Sequence, residues 1–164
     1  MRKLILLVGM TAAWLGAEDV AGQFVGTWKL ISYERRLPGG EVTYPFGKNP
    51  VGRLTYDAQG HMAAQIMDPS RKKFEGVSML RGTDAEKVAA FNGYVAYAGT
   101  YTLKPAEHVV VHHVEISMYP NWVGGDQRRT YEFSGGRLLL RALDGSGGPG
   151  TDARLVWERA AASK

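Results

Sequence analysis

The chain has 164 residues, 45% hydrophobic, 22% charged and 10% aromatic, which is the size and make-up of one globular domain with a substantial core. It contains no cysteine, which excludes disulfides, thiolate catalysis and cysteine-ligated metals. The net charge of +4 is weak, and the basic residues are scattered apart from short groups such as Arg71-Lys72-Lys73 and Arg128-Arg129. These read as solvated faces, so no nucleic-acid partner is expected.

Met1-Arg2-Lys3, an apolar run over residues 4–15 and then Gly16-Ala17 have the three-part form of a secretory signal peptide over residues 1–17. The run is 12 residues long, short of the roughly 20 that a spanning helix needs, and Glu18-Asp19 follow directly. A secreted or periplasmic protein is therefore predicted, without membrane insertion once the leader is cut. Cleavage near Ala17 removes Arg2 and Lys3 and no acid, which takes the charge from +4 to +2.

Residues 23–36 alternate as a half-buried strand should, with Trp28, Leu30 and Ser32 on one face and Lys29, Ile31 and Tyr33 on the other. Pro38-Gly39-Gly40 turns the chain, and residues 41–44 return as a short strand. Residues 51–56 and 61–67, separated by Asp57-Ala58-Gln59-Gly60, form a hairpin. Residues 68–82 are a polar loop. Thr83-Asp84-Ala85-Glu86 is a capping-box pattern opening the one predicted helix, which runs through Val95 and ends at Gly99. Strands follow over 100–104, 108–119, 127–134, 137–143 and 153–159. Gly135-Gly136 supplies the positive φ angles of a tight hairpin, residues 144–150 form a glycine-rich loop, and residues 160–164 are a tail.

About eight strands with short connections and a single mid-chain helix predict an all-β, antiparallel barrel, with a two-sheet sandwich as the competing architecture. A barrel of about eight strands holds one small ligand.

Within this pattern, Gly26-Thr27-Trp28 resembles the Gly-x-Trp opening of lipocalins and fatty-acid-binding proteins. Together with Asn49-Pro50-Val51-Gly52-Arg53-Leu54 through Gln65, His112-His113-Val114-Glu115 through Gly124, and Leu155-Val156-Trp157-Glu158-Arg159, it resembles the bacterial and fungal lipocalin-like domain family over residues 24–159. The resemblance implies a calycin-like barrel with an internal cavity, in which Trp28 plugs one end and Arg159 or Arg154 covers it. It implies no catalytic set.

The long strand over 108–119 carries the candidate chemistry. One face holds Val110, His112, Val114, Ile116 and Met118; the other holds Val111, His113, Glu115, Ser117 and Tyr119. His113 with Glu115 is a candidate ligand contact, and equally a candidate base with its orienting carboxylate. Gln65 and Tyr131 are further ligand candidates, with Trp122 near the mouth. His112-His113 cannot chelate one metal because neighbouring strand residues face opposite ways, so no metal is assigned, and no cofactor motif is present. The expected function is binding of a small, largely apolar molecule by a monomer. The alternatives are a cofactor-free isomerase or cyclase in the same cavity, and an interaction module using loops 68–82 and 144–152.

Overall fold

The computed structural model describes residues 17–78, 80–142 and 150–161. The proposed leader lies outside these residues except for Ala17, as do most of the glycine-rich loop and the end of the tail. Helix α1 (Ala17–Phe24) precedes strands β1 (Gly26–Arg36), β2 (Val42–Thr43), β3 (Val51–Tyr56) and β4 (His61–Met67). Helix α2 (Asp84–Asn92) follows, then β5 (Tyr94–Lys104), β6 (Val109–Ser117), β7 (Asp126–Ser134), β8 (Arg137–Ala142) and β9 (Asp152–Arg159). The strands pair antiparallel in the order β2-β1-β3-β4-β5-β6-β7-β8-β9, and β9 pairs back onto β1 from Trp28↔Arg159 to Arg36↔Asp152. The two-residue β2 hangs on the end of β1, so eight strands close the ring. Closure settles the architecture as a barrel and leaves no long open edge.

Turn chemistry sets the hairpins. Gly135 and Gly136 have φ of 57° and 75°, the pair of positive angles that a two-residue turn between right-twisted strands demands. In the β3–β4 turn, Asp57 Oδ1 accepts the amides of Gln59 at 2.9 Å and His61 at 2.8 Å. These bonds, the His61 amide foremost, hold the Asp57 carboxyl below its ordinary pKa.

The capping box forms as the sequence suggests. Thr83 Oγ1 accepts the Glu86 amide at 3.3 Å, and Glu86 Oε2 accepts the Thr83 amide at 2.7 Å. The helix, however, stops at Gly93 and not at Gly99. Tyr94, Val95 and Tyr97 belong to β5, paired with β4 from Met67↔Tyr94 onward, where aromatic and β-branched side chains pack better than on a helix. Gly99 sits instead at a register shift between β5 and β6, where a Cβ would run into the His113 carbonyl. Helix α1 was not foreseen. Its stripe is only Val20 and Phe24, one i,i+4 step, too short a period to read.

The core lines the inside of the ring with Trp28, Leu54, Tyr56, Met62, Ile66, Val110, Leu138, Leu140 and Trp157, among others. A register shift between Leu30 and Ser32 reverses the phase of β1, so Tyr33, and not Ser32, continues the inward face begun by Trp28 and Leu30.

Candidate ligand-binding site

The barrel has two unlike ends. At one, α1 lays Phe24 across the opening, where it meets Tyr56, Tyr131 and Phe133 edge-on at 5.1, 4.9 and 5.0 Å between ring centroids. Trp28 donates its indole N–H to the Phe24 carbonyl at 2.9 Å, and the Arg159 guanidinium lies 4.1 Å from the Trp28 ring. Arg159, not Arg154, therefore covers the plug. Its guanidinium also donates to the Val25 carbonyl and fills the space where a Cβ on Gly26 would stand. Gly26, at φ 131°, is required there for both reasons.

The other end encloses a cavity of about 60 Å³, walled by apolar side chains such as Leu54, Ile66, Val95 and Leu155, with Trp122 over it. Its polar part starts from His112, which is 1% exposed. His112 Nε2 lies 2.7 Å from the Tyr56 hydroxyl and Nδ1 lies 2.9 Å from the Tyr97 hydroxyl. Burial, reinforced by Tyr97, pushes the Tyr56 phenol well above the ordinary tyrosine pKa, with Arg129 opposing. Arg129, 7% exposed, also lines the cavity, and its guanidinium donates to Gln127 Oε1 at 2.9 Å and to the Arg128 carbonyl at 2.8 Å. The Trp157 indole N–H is buried with no hydrogen-bond partner among the described residues, and Trp157 lines the same cavity.

Of the residues singled out in the sequence, Trp122 stands at the cavity, with its ring 5.5 Å from that of Tyr97. Tyr131 points inward but belongs to the plug layer against Phe24. His113, Glu115 and Gln65 lie on the outer wall, away from the cavity lining. The reason is phase: Val110, His112 and Val114 occupy the inner face of β6, and Met62, Ala64 and Ile66 that of β4. Glu115 does not orient His113. That partner is Asp126, directly opposite in register, whose Oδ1 lies 2.7 Å from His113 Nδ1, while Thr102 Oγ1 lies 2.9 Å from Nε2. The inner face of β6 ends at Val114; Ile116, expected in phase with it, is 67% exposed at the rim beyond the last β6–β7 pair.

Arg129 was misread as part of a solvated pair. Arg128 is the solvated member, 3.3 Å from Glu107. The signal was available: Arg129 is in step with Tyr131 and Phe133, so an inward aromatic file on β7 carries the arginine inward with it.

A closed antiparallel ring, plugged at one end and hollow at the other, is a calycin-type barrel. The chain belongs to the lipocalin-like domain family, whose profile matches residues 25–160. It is similar to a 4'-hydroxy-3'-methoxypropiophenone carrier protein of Aspergillus oryzae, at 38% identity over 88 residues, covering 50% of this chain and 79% of that protein. A solved lipocalin-like protein from Bacteroides uniformis aligns at 14% identity and TM-score 0.44, over 85% of this chain and 100% of its own. A solved protein from Bacteroides eggerthii aligns at 17% identity and TM-score 0.43, over 84% and 99%.

Proposed function

We propose that the protein is a carrier that binds a small, largely apolar molecule in the hollow half of the barrel, between Trp122, Tyr97, Trp157 and Arg129. The observation that carries this reading is the enclosed cavity itself, apolar on most of its wall and furnished with a few buried polar groups, as small-molecule sites are. The fungal relative's name as a carrier of an aryl ketone supports it. At about 60 Å³ the cavity is smaller than the roughly 150 Å³ that holds a benzene. A ligand must therefore displace Trp122, which sits on a single 3-10 turn, Pro120–Trp122, at the mouth.

A carrier fits the polar groups better than the acid–base enzyme does. For Tyr97 to give up a proton through His112, the charge would have to end on Tyr56, which burial keeps protonated. The His113–Asp126 pair, which has catalytic residue types, stands outside the barrel. Export through the 1–17 leader and a monomeric state belong to the same proposal.

Native mass spectrometry of protein purified from its own host tests the carrier reading. A stoichiometric small molecule released on denaturation is the expected result, together with an N-terminus near Glu18. Empty protein whose tryptophan fluorescence is indifferent to every small aromatic ketone offered would sink it.

A further inference from the structure

Strand register sets the floor of the cavity. The inner face of β9 runs from Ala153 at the mouth, opposite Arg35, through Leu155 to Trp157, opposite Leu30 on β1 and Leu138 on β8. Two residues further on, Arg159 faces Trp28 of the plug. Trp157 therefore stands at the deep end of the cavity, directly above the plug, while Trp122 stands at the open end. Trp157 is 1% exposed, and its indole N–H can only donate. Leu30 and Leu138 offer it no side-chain acceptor, and the strands on either side of it are paired through their backbones. The polar side chains Tyr33, Tyr97, His112 and Arg129, which also line the cavity, have interactions of their own. Among the described residues that line the cavity, the Trp157 N–H is thus the one buried polar group with no partner. Proteins pair nearly all buried donors, because an unpaired one has lost its water and gained nothing in return. A single donor at the bottom of an otherwise apolar pocket is what orients a small ligand.

We infer that Trp157 is the residue that selects and orients the cargo: its indole N–H donates to a carbonyl oxygen of the bound molecule at the floor of the cavity. The apolar remainder of the molecule then lies along Leu54, Ile66, Val95 and Leu155 towards Trp122. This rests on the carrier reading and deepens it. A carbonyl oxygen accepts without bringing a donor of its own, so it completes the one unmet bond and creates no new one beside Leu30 and Leu138. A hydrocarbon would leave the N–H unmet. A hydroxyl would bring a proton that needs an acceptor in its turn.

Two probes of one shape test it: acetophenone, and isopropylbenzene, in which a methyl group replaces the oxygen. Each is titrated calorimetrically into the wild type and the Trp157→Phe variant, so that the difference in hydrophobicity between the probes cancels. In parallel, the indole proton of Trp157 is followed by NMR in wild-type protein carrying isotope-labelled tryptophan and assigned there by sequential methods. The expected result is that Trp157→Phe weakens acetophenone about tenfold more than isopropylbenzene, a difference of about 1.4 kcal/mol and the size of one buried hydrogen bond. The indole proton should move downfield with acetophenone and not with isopropylbenzene. Equal weakening of both probes, or an indole proton that moves alike with both, overturns the inference and leaves the carrier reading standing. Should Trp157→Phe fail to fold, the wild-type NMR comparison decides alone. If neither probe binds, the inference and the carrier reading fall together.

Discussion

The plugged end and the hollow end of the barrel are made from the same strands, yet they spend their aromatic residues differently. At the plug, Phe24, Tyr131 and Phe133 pack edge to face, and the polar atom of Trp28 finds a backbone carbonyl. At the mouth, Tyr97 and Trp157 stand around space, and the Trp157 N–H meets no partner among the described residues. A satisfied, close-packed end supplies stability, and an end with an unmet buried donor is suited to a ligand. Changes at the plug should therefore cost folding free energy, and changes on the outer wall should cost almost nothing.

The largest effect is expected from Trp28→Ala. It removes a fully buried indole from the plug and should lower unfolding free energy by about 3–5 kcal/mol in urea titration. Next is Tyr56→Phe, at about 1–3 kcal/mol, because it takes from the buried His112 Nε2 its hydroxyl partner. The same residue gives a pH test. Its folded pKa is raised, so the native state keeps the Tyr56 proton while the unfolded chain loses it above pH of about 10. Its contribution is intact below that pH, and above it stability should fall by about 1.4 kcal/mol per pH unit. Tyr56→Phe should reduce this slope in alkaline unfolding curves. It should not abolish it, since burial also raises Tyr101 and Tyr131.

Arg159→Met should cost about 0.5–2 kcal/mol in the same assay by removing the cation over Trp28. Thr83→Ala should cost about 1 kcal/mol, seen as faster amide exchange confined to α2, with ligand affinity unchanged. The smallest effect is expected from His113→Ala. Its partners are half exposed, so the loss should stay within about 0.2–1 kcal/mol, and ligand affinity should not move. A large drop in affinity there would erase the distinction between the outer wall and the cavity.

Much of this fold is readable along the chain. The hairpins follow from Asp57 to Gly60 and from Gly135-Gly136, and the helix start from Thr83 and Glu86, whereas the plug was implied only by the family resemblance of Gly26-Thr27-Trp28. The hairpins and the helix start each depend on local backbone preference or on a contact a few residues away. The helix end escaped because Tyr94 to Tyr97 satisfies a helical stripe as well as a strand, and only pairing with β4 decides between them.

The sequence by itself determined that β6 has two unlike faces, but not which of them looks inward. Period-two alternation is symmetric between inside and outside, and ring closure breaks that symmetry. The same limit hid Arg129 and favoured His113. A cation next to another cation reads as solvated until the strands beside it close over it, and a His near a Glu on one strand reads as a pair until the facing strand brings Asp126 nearer. The shift between Leu30 and Ser32 that turns Tyr33 inward has no local signature either. Alternation, turns and caps are short-range and were legible in the sequence, whereas facing, bulges and the meeting of Tyr56, His112 and Tyr97 come from strands far apart in the chain, and only the closed barrel decided them.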